Sequence, residues 1–260
     1  MRVFITGASE GLGAALARHY ARAQGSNVEL GLVARRGDRL EALAASLPAR
    51  CRLYPLDVTD PVALRQAAQD FMANAGLPNI VIANAGISVG ALTEESDDLE
   101  VFNRVLQVNM LGMVHTFQPF VTPMREARRG QLVGISSVAG IRGIPGAGAY
   151  CASKSAAISY LESLRIELQE CGIKVTTILP GYIATPMTAN NPYPMPFLLD
   201  ADEAARRIVR QIRRGVSYAV VPWQMAVVSK LLRSLPNPVF DRLFGRMFAS
   251  GLRKPRQLRM

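Results

Sequence analysis

The chain has little of what metal sites and membrane spans require. Its 260 residues include three cysteines and two histidines, and the cysteines have neither CxxC nor zinc-ligand spacing. No run of eighteen or more uncharged apolar residues occurs, and the N-terminal apolar stretch soon gives way to a glycine-rich loop. We therefore expect no metal site, no transmembrane helix and no signal peptide. The low, odd cysteine count is typical of a reducing, cytoplasmic environment.

Acidic residues are scarce at the C-terminal end. From Ala204 to Met260 there are thirteen Lys and Arg but one acid, Asp241, whereas residues 1–203 hold seventeen Lys and Arg and nineteen acids. A localised basic tail favours an anionic surface as partner, and a solvated arginine-rich face is the alternative. No aromatic platform or recognition module accompanies the charge, so we expect no nucleic-acid binding.

Short apolar runs alternate with helical patterns along the chain. The predicted strands are 2–5, 28–33, 51–56, 79–83, 131–135, 174–179 and 218–221. The predicted helices are 12–24, 38–46, 61–75, 99–125, 149–170 and 201–213. Strands that are apolar throughout are typical of parallel strands covered on both faces. The sequence predicts a single-domain α/β fold, a Rossmann-type doubly wound parallel sheet of about seven strands with helices on both faces.

The domain boundaries follow from the same pattern. Residues 1–221 are predicted to form the main α/β domain, with a proline-rich lid inserted at 185–200. Residues 222–260 are predicted to form a basic, amphipathic C-terminal helical extension of that domain.

A glycine-rich loop follows the first predicted strand and opens the first predicted helix. It reads TGASEGLG from Thr6 to Gly13. Gly7 suits a tight turn, Gly11 lets the backbone approach a pyrophosphate, and Gly13 lets the helix pack on the strand. The helix N-terminus adds N–H donors and the positive end of a dipole. The loop predicts a dinucleotide site, and a role in packing alone is the alternative.

The end of the second predicted strand indicates which dinucleotide binds. The acid that would accept hydrogen bonds from a free ribose 2′-hydroxyl is missing there, and Arg35 and Arg36 stand in its place. The forked arginine donor suits a 2′-phosphate, which favours NADP(H) and leaves NAD(H) as the alternative. Glu10 opposes this preference, because a carboxylate near a phosphate repels it.

A hydroxyl, a phenol and an ammonium follow one another at Ser137, Tyr150 and Lys154. If Tyr150 begins a helix, Lys154 lies one turn later on the same face. An ammonium near a tyrosine favours the phenolate and lowers the phenol pKa towards the range of an acid/base catalyst. A YxxxK pair is a weak signal by itself, and the other motifs give it weight.

Together these motifs resemble those of the short-chain dehydrogenase/reductase family, in its single-domain branch. The resemblance covers residues 1–221 and rests on ordered motifs: TGASEGLG, Leu56-Asp57-Val58, Asn84-Ala85-Gly86, Asn109, Ser136-Ser137, Tyr150 to Lys154, and Pro180-Gly181 with Thr185. It implies hydride transfer between a nicotinamide cofactor and a carbonyl or alcohol carbon. It also implies a homodimer or homotetramer.

The resemblance also implies roles for single residues. Tyr150 would be the general acid in reduction and the base in oxidation. Lys154 would lower the tyrosine pKa and hold the nicotinamide ribose, and Ser137 would hydrogen-bond the substrate oxygen. Asn109 would kink its helix and anchor a water that relays protons to Lys154, or it is a capping or solvated amide.

The implied cofactor-binding residues belong to the glycine loop and to segments that follow later strands. They are Gly7, Ser9, Glu10, Gly11, Leu12, Gly13, Arg35, Arg36, Asp57, Val58, Asn84, Ala85, Gly86, Tyr150, Lys154, Pro180, Gly181, Ile183 and Thr185. Within this set, Asp57 and Val58 would meet the adenine, and Pro180, Gly181 and Thr185 would flank the nicotinamide carboxamide.

The segments expected to wall the substrate pocket are 87–94, 138–148 and 182–200. Their side chains are mostly apolar, as in Ile87, Val89, Ile141, Ile144, Met187, Tyr193, Met195, Phe197, Leu198 and Leu199, and Arg142 is the conspicuous charge. Such a wall predicts a lipophilic small-molecule substrate. Packing of these residues within the lid or against a partner subunit is the alternative.

The tail pattern leaves three partners open. Residues 223–235 and 239–248 read as helices with one apolar and one basic face. Such helices could lie on an anionic membrane at its inner face, cap the pocket, or dock on another subunit.

The sequence as a whole predicts an NADP-dependent oxidoreductase. A catalytically silent NAD(P)-binding regulator of the same fold is the alternative, and the intact Ser-Tyr-Lys set disfavours it.

Overall fold

A computed structural model describes residues 1–191 and 194–249, and it describes side chains as far as residue 245. Tyr193 of the predicted lid and residues 250–260 of the predicted extension lie outside the described residues.

Seven parallel strands form the central sheet. They are β1 Arg2–Thr6, β2 Glu29–Ala34, β3 Arg50–Pro55, β4 Ile80–Ala83, β5 Gly130–Ile135, β6 Ile173–Pro180 and β9 Tyr218–Val221. Their order is β3-β2-β1-β4-β5-β6-β9, and every neighbouring pair is parallel. The seven predicted strands are confirmed to within one residue at each end. A separate two-stranded sheet pairs β7 Ile183–Ala184 with β8 Leu199–Asp200 and joins the two ends of the predicted lid.

Helices cover both faces of the sheet. They are α1 Gly11–Gln24, α2 Gly37–Ala45, α3 Pro61–Ala75, α4 Asp98–Leu106, α5 Gly112–Glu126, α6 Gly148–Leu168, α7 Ala201–Arg214, α8 Trp223–Ser234 and α9 Asn237–Ala249. The predicted continuous helix 99–125 is wrong in one respect, because a π-helical turn at Gln107–Leu111 separates α4 from α5. None of the described helices is both long enough and apolar enough to cross a membrane.

The strands are apolar throughout because each face of the sheet carries its own core. In β1, Val3 and Ile5 enter the core beneath α1 and α7, and Phe4 enters the core on the opposite face. The Phe4 ring there meets the rings of Phe71 and Phe120, at centroid distances of 5.5 and 5.0 Å. Side chains of successive residues point to opposite faces of a strand, so both positions must be apolar.

The strand order reverses beside β1, and this places the candidate site. β1 pairs with β2 on one side and with β4 on the other. The loops that leave the carboxyl ends of β1 and β4 therefore diverge and open a crevice, which is where doubly wound sheets bind ligands.

Candidate active site

A cleft of about 300 Å³ lies at the carboxyl ends of the strands. It is lined by every predicted site residue except Gly13 and Asn109, which lie behind it. It is also lined by residues that were not assigned to a site from the sequence, among them Ala34, Arg104, Val108 and Ile135. One cleft therefore brings together the glycine loop, the arginines after β2 and the Ser-Tyr-Lys set.

The glycine loop is shaped by close backbone contacts. Gly7 has a φ of +68°, and a Cβ there would lie 2.7 Å from Cα of Ala85. The Asn84 side chain donates from Nδ2 to the carbonyls of Thr6 and Gly7, at 3.1 Å each, and a Cβ on Gly13 would clash with the Gly7 carbonyl. These contacts leave no room for a side chain at Gly7 or Gly13, since the loop and the start of α1 pack directly against the residues that follow β4.

The N-terminus of α1 faces this loop. Glu10 is the N-cap residue, and no described side chain caps the helix through a hydrogen bond. The first N–H groups of a helix have no intrahelical acceptor, and the dipole makes this end positive. The residues present thus fit the pyrophosphate of a dinucleotide.

Glu10 also lies at the predicted 2′-phosphate position, but its charge is paired. Its carboxylate lies 2.7 Å from Nη2 of Arg36 and forms a second ion pair with Arg39. Arg36 Nη2 also donates to Ser9 Oγ at 3.4 Å, and Arg35 lines the same rim. From the sequence, Glu10 was expected to act as an isolated repelling charge, and Arg39 was not predicted as its partner. The available signal was the place of Arg39 in the first turn of α2, three residues after Arg36.

Asp57 is held by a partner that sequence reasoning also missed. Arg104 of α4 donates from Nη2 to Asp57 Oδ2 at 2.6 Å, while the backbone N–H and hydroxyl of Thr59 donate to Oδ1 at 2.9 Å each. Burial works to raise the pKa of Asp57, but these hydrogen bonds outweigh it and hold the pKa below its ordinary value. The carboxylate is therefore fixed in its charged form at the cleft wall.

Lys154 is buried at the base of the cleft. Its Nζ donates to the Ile135 carbonyl at 2.9 Å and lies 5.8 Å from the centroid of the Tyr150 ring. A Cβ on Gly86 would lie 3.4 Å from Nζ, so the ammonium reaches the loop after β4. Burial lowers the pKa of Lys154 to about 8, because desolvation disfavours the charged form.

Tyr150 differs from expectation in its ionisation. From the sequence, Lys154 was expected to lower the pKa of Tyr150. In the structure burial raises the pKa of Tyr150, and the group that works against burial is the hydrogen-bonded Ser137 side chain. The reason is that phenol and amine share one desolvated pocket, where both charged forms are disfavoured. Ser137 Oγ also accepts from the Ala139 N–H at 3.1 Å, which fixes its direction.

Asn109 is fully buried in the π-helical turn and fixes the elements around it. Its Oδ1 accepts from the Ile87 N–H at 2.8 Å, and its Nδ2 donates to the Ile87 carbonyl and to Ser153 Oγ, both at 2.9 Å. Ser153 Oγ in turn donates to the Tyr150 carbonyl at 2.7 Å. The side chain thus ties the loop after β4 to the first turn of α6. Its role in proton relay stays a prediction.

The predicted substrate walls divide into lining and outward residues. Ile87 and Met187 line the cleft, although Met187 is 48% exposed. Phe197 and Leu198, which are also exposed, do not line it, and neither does the segment 138–148. The Arg142 side chain is directed at α8 and α9. The two histidines, His19 and His115, show no ligand geometry, and no group of three His, Cys, Asp or Glu among the described residues could hold a metal ion.

Comparisons with known proteins agree with this geometry. The family model described as short chain dehydrogenase matches residues 1–194. An uncharacterized oxidoreductase of Myxococcus xanthus is 37% identical over 240 residues, which are 91% of this chain and 93% of that protein.

Similar solved structures include two that carry a nicotinamide cofactor. A short-chain dehydrogenase from Sphingobium yanoikuyae in complex with NADPH has a TM-score of 0.75 and 25% identity, over 100% of this chain and 98% of its own. A 3-oxoacyl-(acyl-carrier protein) reductase from Brucella melitensis with bound NAD has a TM-score of 0.74 and 29% identity, over 85% of this chain and 88% of its own. The chain therefore belongs to the short-chain dehydrogenase/reductase family of NAD(P)-dependent oxidoreductases.

Proposed function

We propose that this protein transfers hydride between NADP(H) and the carbonyl or secondary alcohol carbon of a lipophilic small molecule, with Tyr150 as general acid/base. The observation that carries the proposal is the meeting of Ser137, Tyr150 and Lys154 in the cleft that the glycine loop enters. Each of the three has the chemistry that a carbonyl reduction needs.

In reduction, the carbonyl carbon gains a hydride and its oxygen gains a proton. A bound nicotinamide supplies the hydride chemistry. Tyr150 donates the phenolic proton and is then reprotonated from solvent, while Ser137 orients the substrate oxygen. The raised pKa of Tyr150 keeps the phenol protonated before the substrate arrives, as a general acid must be.

Lys154 would act on both the tyrosine and the cofactor ribose. An ammonium has three N–H donors, and Ile135 accepts one of them. The remaining donors suit the ribose hydroxyls and the phenolate that forms when the proton leaves. Asn109 would act by holding the Tyr150 turn through Ser153.

The proposed cofactor preference rests on the rim after β2. Arg35 and Arg36 line the cleft there, and the ion pairs of Glu10 with Arg36 and Arg39 reduce the repulsion that its carboxylate would exert on a 2′-phosphate. Asp57 would accept from the adenine amino group. NAD(H) is the second candidate, since the solved relatives include both cofactors.

A lipophilic substrate is proposed because the described residues of segments 87–94 and 182–200 that line the cleft carry no charge. The segment 138–148 does not line the cleft, and its one charged side chain, Arg142, donates to the carbonyls of Leu232 in α8 and of Leu235 just after it. Ile87 and Met187 are apolar lining residues, and Met adapts to varied apolar shapes.

Two further contacts are proposed for the outer surface. Leu99 on α4, Leu111 in the π-helical turn and Ile166 on α6 are exposed and apolar, which favours a homodimer or homotetramer through these helices. On α8, Trp223, Val227 and Leu231 are exposed at four-residue spacing and so share one face.

The exposed α8 face is proposed to touch anionic lipid. Cationic side chains are concentrated in this part of the chain, where Asp241 is the single acid after Glu203, so lipid of negative charge is the complementary surface. Changing Trp223 and Leu231 together to Ser should reduce co-sedimentation with phosphatidylglycerol-containing vesicles, and Leu99→Ser should not. The membrane proposal would be wrong if co-sedimentation is unchanged, or if the double variant loses the oligomer but not lipid binding.

The proposed chemistry is tested by Tyr150→Phe. The variant should lose roughly 100-fold or more in kcat with NADPH and a ketone, since it lacks the general acid. Its Kd for NADPH should stay close to wild type. Tyr160→Phe makes the same change ten residues along α6 and should retain turnover. Retained turnover in Tyr150→Phe would remove Tyr150 from the mechanism.

A further inference from the structure

The C-terminal extension contacts both loops that flank the candidate site. At the start of α8, Met225 packs closely on Gly181. A Cβ on Gly181 would lie 2.7 Å from Met225 Cγ. At the other end of α8, Arg233 donates to the Ile141 carbonyl at 3.0 Å. Gly181 lines the cleft, and Ile141 belongs to the segment 138–148 that is predicted to wall the substrate pocket, so α8 bridges the cleft and this predicted wall.

Arg142 makes the shortest of the hydrogen bonds to the extension. Its Nη1 donates to the carbonyls of Leu232 and Leu235, at 2.5 and 2.6 Å, and its Nη2 donates to Asn237 Oδ1 at 3.0 Å. Leu232 belongs to the last turn of α8, where carbonyls have no intrahelical donor and the dipole is negative. The guanidinium of Arg142, which lies outside the helix, therefore caps the C-terminal end of α8.

The same guanidinium fixes the beginning of α9. Its central carbon lies 3.9 Å from the centroid of the Phe240 ring, within cation–π distance. Phe240 is buried and stacks on Phe244 with centroids 4.3 Å apart. One arginine thus joins the end of α8, the α8–α9 turn and the inner face of α9.

The segment that bears Arg142 connects two proposed catalytic residues. It runs from Ser137 to the turn before Tyr150, and its far side is held by a bridge in which the Ala91 N–H donates to the Gly146 carbonyl at 3.2 Å. The segment is therefore fixed from the inside by the loop after β4 and from the outside by the extension. Loss of the outer contacts would free the segment that is predicted to wall the substrate pocket.

We propose that Arg142 is a positioning residue that makes α8 and α9 part of the substrate wall, so that the extension sets the affinity for the carbonyl substrate. The carbonyl substrate in this inference rests on the proposed function, whereas the contacts of Arg142 do not depend on it. The inner face of the extension serves the site, and its exposed outer face is left for other contacts. Arg142 itself touches neither the reacting atoms nor the cofactor rim.

The test compares Arg142→Met, which keeps the aliphatic stem, with Arg142→Lys and with Arg242→Met as the matched control. Arg242 is an exposed arginine on α9. Arg142→Met should raise KM for the carbonyl substrate about tenfold while KM for NADPH changes less than about twofold. Arg142→Lys should restore part of the affinity, because an ammonium keeps the charge but lacks the planar fork that reaches all three acceptors together. Arg242→Met should match wild type.

Hydrogen exchange gives a readout that does not need turnover. Arg142→Met should accelerate exchange in both 138–148 and 228–240, with β1 and β4 unchanged. If exchange accelerates in the extension alone and the substrate KM is unchanged, Arg142 only stabilises the extension, and the proposal is overturned. If wild type reduces no carbonyl compound but the exchange result holds, the proposed function fails while the coupling of extension to wall survives.

Discussion

The carboxylate of Glu10 lies 2.7 Å from Nη2 of Arg36, and both side chains are part-exposed at the rim of the cleft. A pair of this exposure contributes about 1 kcal/mol or less. Arg39 shares the same carboxylate. The carboxylate is therefore an internal anion held at the position proposed for the cofactor 2′-phosphate, and it competes for the same arginine.

Glu10→Gln should consequently strengthen NADPH binding, since it releases Arg36 and Arg39 and removes a repelling charge. We expect Kd for NADPH to fall about threefold to tenfold at low salt and Kd for NADH to change little. Fluorescence titration of both cofactors measures this. Glu41→Gln, an exposed acid on the same α2 helix as Arg39, is the control. An equal gain for both cofactors would show that Glu10 acts on the α1 N-terminus and not on the 2′-phosphate.

Arg104→Met should weaken recognition of the adenine ring. The substitution removes the 2.6 Å hydrogen bond that orients Asp57 and leaves its carboxylate to Thr59 alone. KM for NADPH should rise about fivefold or more, an effect of the size of one charged hydrogen bond. KM for the hypoxanthine analogue, which lacks the adenine amino group, should rise less. If KM rises equally for NADPH and for the hypoxanthine analogue, Arg104 does not contribute to recognition of the adenine amino group.

The fold and the cleft were predictable because their signals are local. Unbroken apolar runs such as Ile80–Ala83 identify buried parallel strands, and the spacing of Gly7, Gly11 and Gly13 follows from backbone contacts that admit no side chain. Tyr150 and Lys154 lie on one helix face at a fixed spacing of four. Each of these inferences needs only a short segment of the chain.

What was missed depends on contacts between distant segments. Arg104 reaches Asp57 across 47 residues, and Arg142 reaches Leu235 across 93. Nothing in the sequence near Arg142 distinguishes a pocket charge from a helix cap. The Tyr150 pKa was misjudged for a related reason, because charge proximity can be read from spacing but the opposing desolvation depends on the whole fold.

Asn109→Ala should destabilise the protein strongly. The variant leaves the part-buried N–H and carbonyl of Ile87 without the partners that Asn109 provides, and it removes the buried donor to Ser153 Oγ. We expect a loss of about 2–5 kcal/mol in the free energy of unfolding, since each orphaned group costs about 1–3 kcal/mol when it is buried. Urea denaturation measures it, and Asn103→Ala, an exposed amide on α4, should change it little. A small loss of stability with a large loss of kcat would instead favour the proton-relay role.

Lys154 should make stability depend on pH in the alkaline range. Its pKa is about 8 in the folded protein, against an ordinary value of 10.5, so the unfolded chain binds more protons between these two values. Because the folded pKa is depressed for a basic group, the cost of burying its charge is fully present below pH 8 and is relieved as pH rises towards 10.5. Lys154→Met lacks this term, so the stability of wild type relative to Lys154→Met should increase from pH 7.5 to pH 10. Urea denaturation of both proteins at several pH values gives the difference, in which the other titrating groups largely cancel. A difference that stays constant over this range would mean that the ammonium remains fully charged in the folded state.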